Sequence, residues 1–198
     1  EQWMTNRDKR EVAFSFNHRV LVFFAVDLYK AMMTTKLDGF NTRFLPFNQG
    51  SNGAGNDGGK GNPANPNGYP TAYLWEEVFQ KDSMMDIVQK FIMFLPKKKQ
   101  LIFPRYHQLD VVRKLVADVR QNGPGKNYLI QHSAGSGKSN SIAWLAHQLV
   151  TLKNDDGKEV FDTVLVVTDR INLDKQIKNT IKQFMQVSNT VGWAKDAS

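Results

Sequence analysis

The chain has 198 residues, which is enough for one large domain or for parts of two. Its hydrophobic fraction of 41% supports a packed core and argues against wholesale disorder, and without cysteine it has neither disulfides nor thiolate metal sites. The net charge of +7 is compatible with an acidic or polyanionic partner, although many soluble proteins with no nucleic-acid role carry such a charge. No apolar run approaches the roughly 20 residues of a membrane-spanning helix.

The first region, Glu1–Phe47, has the composition of β-structure. Phe, Val and Leu dominate the stretches Val12–Phe16, Arg19–Val26 and Phe44–Phe47, as on a half-buried pleated surface. Ala31–Lys36 predicts a further short strand, because Met32, Thr34 and Lys36 alternate with Met33 and Thr35, so that one face could be covered and the other exposed to water.

The second region, Asn48–Pro70, is rich in Gly, Asn and Pro. It has almost no apolar side chains, so burial cannot offset the entropy lost when it becomes ordered. We predict a long loop, and loops of this length are usually functional or disordered.

From Thr71 onward, apolar residues recur at helical spacing in four segments. The predicted helices are Met84–Leu95 with Ser83 as its N-cap, Arg105–Gln121, Ser139–Leu152 and Asn172–Met185. Apolar runs predict buried strands over Asn127–Gln131 and Thr163–Thr168. The order strand, loop, helix, strand, helix is typical of an α/β domain with a parallel sheet.

The segment Tyr128–Ser139 reads YLIQHSAGSGKS and joins a predicted strand to a predicted helix through a glycine-rich loop. Gly135 and Gly137 let successive N–H groups face a phosphate, and the helix adds free amides and the positive end of its dipole. Lys138 is a mobile point charge that can reach the β- and γ-phosphates of a nucleoside triphosphate, and the Ser139 hydroxyl is placed to ligate Mg²⁺. The predicted nucleotide-binding residues are Ser133, Ala134, Gly135, Ser136, Gly137, Lys138 and Ser139, with Lys138 in the catalytic role.

His132 stands at the first position of this motif, where the formal pattern has glycine. The later glycines form the tight part of the loop, so the departure matters little for phosphate contact, and helicase-type ATPases relax this position. The alternative is a flexible turn without a ligand, which the flanking strand and helix argue against.

Gln108 lies in the string FPRYHQ, about one helix before the phosphate loop. A glutamine amide can pair with the adenine edge through both its donor and its acceptor, which would favour ATP over GTP. A neighbouring aromatic side chain would stack on the base. The alternative is an ordinary surface residue at a helix start.

The predicted strand over residues 163–168 is followed by Asp169 and Arg170, and ligands bind at the carboxyl ends of such strands. Arg170 or Lys175 is therefore a candidate contact to a DNA phosphate. A solvated helix face with an Asp174–Lys178 pair is an equally good interpretation.

Longer strings carry a more specific signal than any single motif. In the second half they are RYHQ at Arg105–Gln108, QHSAGSGKSNSIAWLAHQL at Gln131–Leu149 and TDRINLDKQI at Thr168–Ile177. In the first half they are FNHRVLVFFAVD at Phe16–Asp27, MTTKLDG at Met33–Gly39, TRFLPFNQGSNGAGN at Thr42–Asn56 and YPTAYLWEEVF at Tyr69–Phe79. Through them nearly the whole chain resembles the restriction (motor and nuclease) subunit of type I restriction–modification enzymes.

The resemblance implies an α/β architecture in two parts. Residues 1–80 would be the β-rich end of a PD-(D/E)XK nuclease domain and its connection to the motor. Residues 81–198 would be the first part of a RecA-like phosphate-loop domain with a parallel sheet. The parent protein would be a superfamily 2 ATPase of the bacterial or archaeal cytoplasm that translocates and cleaves double-stranded DNA. Its partners would be that DNA and the modification (methyltransferase) and specificity subunits.

The resemblance also assigns residues to motifs of the motor. The adenine-sensing motif takes Arg105 and Gln108, and motif Ia, which lies near the DNA track, takes Asp169 and Arg170. Motif I, which binds the nucleotide phosphates, takes Gly135, Gly137, Lys138 and Ser139.

Several parts of such an enzyme do not occur in this sequence: an Asp-Glu-x-His string, an arginine finger and a convincing Asp…Glu-x-Lys set. We expect the nuclease centre upstream of Glu1 and the other motor parts downstream. The carboxylates in plausible places are assigned structural or surface roles: Asp27, Asp38, Glu76 and Glu77. The chain alone should therefore bind ATP weakly and hydrolyse it poorly.

Two other functions fit the same residues. One is a superfamily 2 helicase or remodeller unrelated to restriction, which an upstream nuclease signature would exclude. The other is a non-catalytic assembly module in which Glu1–Phe79 docks a methyltransferase partner and the phosphate loop is vestigial.

Overall fold

A computed structural model describes residues 8, 10–15, 18–95, 99–169 and 171–184. The chain divides into two compact units, Glu1–Asp110 and Val111–Ser198, and each is described by itself. Within the described ranges, no helix has both the length and the apolar character needed to cross a bilayer.

A three-stranded antiparallel sheet forms in the first unit from β1 (Phe23–Val26), β2 (Ala31–Thr34) and β3 (Leu45–Pro46). The strands confirm the β-structure predicted for these stretches. The β1–β2 turn is held by Asp27, whose Oδ1 accepts the backbone N–H groups of Tyr29 and Lys30, both at 2.7 Å.

The strand predicted over Val12–Phe16 is wrong where the structure describes it, and Phe16 lies outside the described residues. Val12–Phe14 is instead a turn of 3₁₀ helix. Backbone bonds from Phe14 N–H to Glu11 O and from Ser15 N–H to Val12 O close the turn. These local bonds take up the groups that a strand would offer to a neighbour.

An aromatic cluster forms the core of the first unit. The Phe24 ring meets Phe47, Phe79 and Phe103 edge to face, with centroid separations of 5.1, 5.1 and 5.9 Å. Phe47 is fully buried. The aromatic stretches of the sequence therefore serve packing, with geometry that favours the ring quadrupoles.

The glycine- and asparagine-rich loop contains no helix or strand, as predicted, and it is held by polar bonds. Gly50 N–H donates to Gly61 O at 2.8 Å, and Ser51 N–H donates to Gly59 O at 3.0 Å. The Asn62 side chain accepts from the backbone of Gln49 and donates to Tyr29 O and to the Asn48 amide oxygen. Hydrogen bonds replace the apolar burial that this loop lacks.

The first helix differs from its prediction at both ends. A π-helical turn, Leu74–Val78, precedes helix α1, which runs from Lys81 to Lys90 with Gln80 as N-cap. Its predicted last turn is instead strand β4 (Met93–Leu95), which pairs with β5 (Gln100–Ile102) as an antiparallel hairpin. Strand pairing wins because Met93 and Leu95 are buried while Phe94 is exposed, an alternation that suits a strand.

Three longer helices follow: α2 (Tyr106–Asn122), whose first turns belong to the first unit, α3 (Lys138–Val150) and α4 (Ile171–Phe184). Their bounds are close to the predicted ones. In the second unit, Ala143 of α3 packs with Ile177 and Ile181 of α4, and all three are buried. Trp144 is fully buried, which confirms its predicted place in the core.

The predicted parallel sheet is not present among the described residues, where both sheets are antiparallel. Residues 127–131 and 163–168 belong to no strand. Leu129 is 94% exposed, and Leu165 and Val167 are 80% and 81% exposed. The apolar runs predict burial on both faces, but a strand exists only with a hydrogen-bonded neighbour, and within the described part of the chain neither segment has one.

Candidate phosphate-binding site

The loop before α3 is shaped by two glycines in the left-handed region of backbone space. Gly135 has φ +72° and Gly137 has φ +86°, and the bond from Ser136 N–H to Ser133 O, at 3.3 Å, tightens the turn. Only glycine adopts such angles without strain. A Cβ atom added at Gly135 would meet open space, so this side of the loop is accessible to a ligand.

Helix α3 begins without a side-chain cap. Its N-cap is Gly137, which has no side chain with which to cap the helix, and Gly137 O accepts from Asn140 and Ser141 at 3.0 and 3.3 Å. The N–H groups of Lys138 and Ser139 precede any possible intrahelical acceptor. These donors and the positive end of the helix dipole favour an anion at this point.

The Lys138 side chain crosses the loop and contacts its backbone. Its Nζ donates to His132 O at 3.0 Å and to Ser133 O at 2.9 Å, and its side chain remains exposed. The ammonium group is therefore kept at the loop. A phosphate oxygen is a stronger acceptor than a neutral carbonyl, so bound phosphate would draw the ammonium towards itself.

Ser139 lies in the first turn of α3 with a half-buried side chain. Its Oγ accepts a hydrogen bond from Gln176 Nε2 of α4 at 3.4 Å. A single hydroxyl oxygen beside a phosphate-binding loop suits Mg²⁺, which keeps several waters and takes few protein ligands together with phosphate oxygens. The residues present thus fit a magnesium–nucleotide complex.

A pocket of about 230 Å³ adjoins the loop within the second unit. Its walls are mainly apolar, with Ile130, Ile142 and Leu145 among them, and Lys138 and Ser141 add polar atoms. The Ser141 Oγ is buried and makes no hydrogen bond within the described part of the protein. Such walls do not suit phosphates, so the surface of the loop, and not this pocket, is the candidate anion site.

The segment that leads into the loop is clipped to helix α2 by Asp118. Lys126 Nζ donates to both carboxylate oxygens of Asp118, at 2.8 and 3.0 Å, and the Tyr128 hydroxyl and Asn122 Nδ2 also donate to this carboxylate. The Lys126 bond is the main reason that the pKa of Asp118 lies below its usual range. The bond to Asp118 in turn raises the pKa of Tyr128. The sequence does not predict this cluster, whose only local signal is the i,i+4 pair of Asp118 and Asn122.

Arg105 and Gln108 meet at the start of α2 in the first unit. Gln108 is 3% exposed, and its Oε1 accepts the Arg105 N–H at 2.9 Å. This is the reach-back bond of a capping box, which satisfies a donor at a helix start. Burial lowers the pKa of the Arg105 guanidinium. The interpretation of Gln108 as an ordinary surface residue is therefore wrong.

Tyr106, the aromatic residue between these two, is part of the core. Its ring meets Phe47 and Tyr73 edge to face at 5.8 and 5.1 Å, and its hydroxyl accepts from Gln49 Nε2 at 2.9 Å. Burial raises the pKa of Tyr106 to about 12. Because its neighbours cover the ring, Tyr106 is not a platform for stacking on a base.

The candidate DNA contacts lie around the start of α4. Asp169 precedes the helix and is exposed, and Lys175 is exposed in its second turn. Arg170 lies outside the described residues. Across the described ranges, no group of three or more His, Cys, Asp or Glu side chains is arranged to hold a metal ion.

Residues 133–139 have three features expected of a phosphate-binding loop: two left-handed glycines, a helix start without a side-chain cap and an ammonium group across the turn. A family model described as SWI2/SNF2 ATPase matches residues 107–196, which include this loop and Gln108. This part of the chain is therefore similar to superfamily 2, helicase-like ATPases. No curated protein and no solved structure matches the chain.

Proposed function

We propose that the chain contains the ATP-binding part of a superfamily 2 DNA motor. The observation that carries the proposal is the Lys138 ammonium, held by two loop carbonyls at the start of α3. The match of residues 107–196 to an ATPase family supports ATP as the nucleotide.

Each part of the site has a distinct role in this proposal. Residues 133–139 bind the phosphates through backbone N–H groups, and the Ser136 N–H exchanges its bond to Ser133 O for a phosphate oxygen. Lys138 binds the β- and γ-phosphates as the catalytic cation. The Ser139 hydroxyl holds Mg²⁺, which neutralises phosphate charge when it is bound. Phosphoryl transfer depends mainly on positioning and charge neutralisation, so these groups contribute directly to it.

Arg105 and Gln108 supply adenine recognition in this proposal. The Gln108 oxygen is bound to the backbone N–H of Arg105, so the side chain has a fixed orientation before any base arrives. To pair with adenine through both groups, the amide must share or exchange that bond.

The parent protein that we propose is the restriction subunit of a type I restriction–modification enzyme. Under this assignment residues 1–80 are the end of a PD-(D/E)XK nuclease domain, and Asp169, Arg170 and Lys175 lie beside double-stranded DNA. The methyltransferase and specificity subunits are the protein partners. The long strings shared with that family and the net charge of +7 support the assignment.

A remodeller or helicase unrelated to restriction is the second candidate, and the SWI2/SNF2 match favours it. The reading frame upstream of Glu1 separates the two. An Asp…Glu-x-Lys signature there supports restriction, and a frame without one supports the second candidate.

The ATP site is tested by titration calorimetry with ATP and Mg²⁺ on the unaltered chain, a Lys138→Ala variant and a Lys158→Ala control. Lys158 has an exposed side chain outside the loop. We expect Lys138→Ala to weaken binding about 10- to 100-fold, because hydrogen bonds to charged groups contribute about 1.5–3 kcal/mol. The control should bind like the unaltered chain. Equal affinity in all three proteins would instead indicate a vestigial loop in an assembly module.

A further inference from the structure

A side chain from α4 reaches the nucleotide loop across 37 positions of sequence. Gln176 Nε2 lies 3.4 Å from Ser139 Oγ, both within the second unit. Neither the motif nor its spacing predicts this contact.

The contact is supported by the packing of the two helices. Ile177, the residue after Gln176, is 4% exposed and packs with Ala143 of α3, together with Ile181 one turn further along α4. Because these buried side chains set the position of α4 against α3, the Gln176 amide is presented to the first turn of α3 at a defined place.

Without a partner, the Ser139 hydroxyl could adopt other rotamers and other hydrogen bonds, and the contact with Gln176 disfavours them. A serine side chain has three staggered rotamers, and near a helix start its hydroxyl also competes for backbone carbonyls. A hydroxyl oxygen has two lone pairs. When the amide of Gln176 donates to one of them, the oxygen is held in place while the other lone pair stays available.

We propose that Gln176 is a positioning residue of the nucleotide site, which orients the Ser139 oxygen towards the metal of bound magnesium–nucleotide. The inference rests on the proposed ATP site and assigns it a residue outside the phosphate loop. Gln176 itself touches neither phosphate nor metal; it acts through Ser139.

Binding of a fluorescent ATP analogue to the full chain tests this, measured with Mg²⁺ and again with excess EDTA. Gln176→Ala should weaken binding about two- to tenfold with Mg²⁺, as expected for the loss of one hydrogen bond. It should leave binding in EDTA unchanged, because loop amides and Lys138 act without the metal. Asn179→Ala, which removes an exposed amide from the same helix, should behave like the unaltered chain under both conditions.

A double-mutant cycle identifies Ser139 as the intermediary: in a Ser139→Ala background, Gln176→Ala should have no further effect. Thermal melts accompany each variant, and Gln176→Asn, whose amide is one methylene too short, replaces Gln176→Ala if the latter unfolds.

An equal loss of ATP-analogue affinity in Mg²⁺ and in EDTA, or full additivity with Ser139→Ala, would overturn the assignment. Magnesium-dependent binding that both Gln176 variants leave unchanged would overturn only the role of Gln176. No magnesium-dependent binding by the unaltered chain would overturn the proposed site as well.

Discussion

Two glycines set the shape of the candidate phosphate-binding loop. Gly135 and Gly137 have positive φ angles, and α3 starts immediately after the second. Lys138, the first residue of α3, donates from its Nζ to His132 O and Ser133 O across the loop. In the proposed site, a loop that is already ordered would bind an anion without the entropic cost of ordering it at that moment.

A matched pair of substitutions separates backbone strain from ligand binding. Gly135 and Gly157 have φ +72° and +76°, and an added Cβ would meet open space at both. We expect Gly135→Ala and Gly157→Ala each to lower the free energy of unfolding by about 1–2 kcal/mol, through strain alone. Only Gly135→Ala should also weaken ATP binding, by about tenfold, because it disturbs amides that contact charged oxygens. Denaturant unfolding and calorimetry measure the two effects, and equal loss of ATP affinity in both variants would contradict a local role for Gly135.

The environment of Gln108 in the fold differs from the one that its position in the sequence suggests. As a pattern, a glutamine near a helix start is either an adenine contact or a surface residue. The structure buries it and uses its oxygen to cap α2, and the orientation of its amide follows from that bond. Burial of this side chain depends on residues distant in sequence, so no local pattern predicts it.

At the scale of elements, Asp118 attaches the segment before the loop to α2. Its carboxylate accepts hydrogen bonds from Lys126, Tyr128 and Asn122, and these bonds lower the pKa of Asp118 from its ordinary value of 3.8. A depressed folded-state pKa means that the clip contributes stability above the unfolded-state pKa. That contribution is lost as the pH falls from about 4 through the folded-state value.

Asp118→Asn tests the clip. The variant should melt at a lower temperature than the unaltered chain at neutral pH, because asparagine cannot pair ionically with Lys126. The difference between the two melting temperatures should shrink as the pH falls below about 4, where the native carboxylate also loses its charge. A pH series of thermal melts measures it, with Asp155→Asn as an exposed control. A difference that is constant down to pH 3 or so would contradict an electrostatic clip.

In the hairpin of β4 and β5, the helical spacing of apolar residues predicts the wrong secondary structure. Helical spacing continues from α1 as far as Leu95, yet the helix ends at Lys90 and Met93–Leu95 pairs with Gln100–Ile102. A three-residue stretch fits both periods, and the partner strand decides between them.

For the whole molecule, the proposed role in a DNA motor predicts binding to duplex DNA that depends on salt. Affinity should fall steeply between about 50 and about 200 mM salt, because bound DNA releases condensed counterions. Lys175→Ala should reduce the slope of log K against log salt by about 1, as expected for one phosphate contact. Fluorescence anisotropy with a labelled duplex measures this, with Lys158→Ala as the control. An unchanged slope for Lys175→Ala would remove this residue from the DNA contacts.

The glycine-rich loop before α3 and the helices could be predicted from the sequence because their signals are local. Glycine spacing, the Lys-Ser pair and apolar residues at helical spacing act over a few neighbouring positions, and the structure has the corresponding loop and helices α2 to α4. Only the tertiary structure decided which segments meet. Gln176 reaches Ser139, polar bonds order the glycine-rich loop, and residues 127–131 and 163–168 stay outside any sheet in the described chain. Strand pairing and side-chain contacts depend on partners distant in sequence, so local propensity does not determine them.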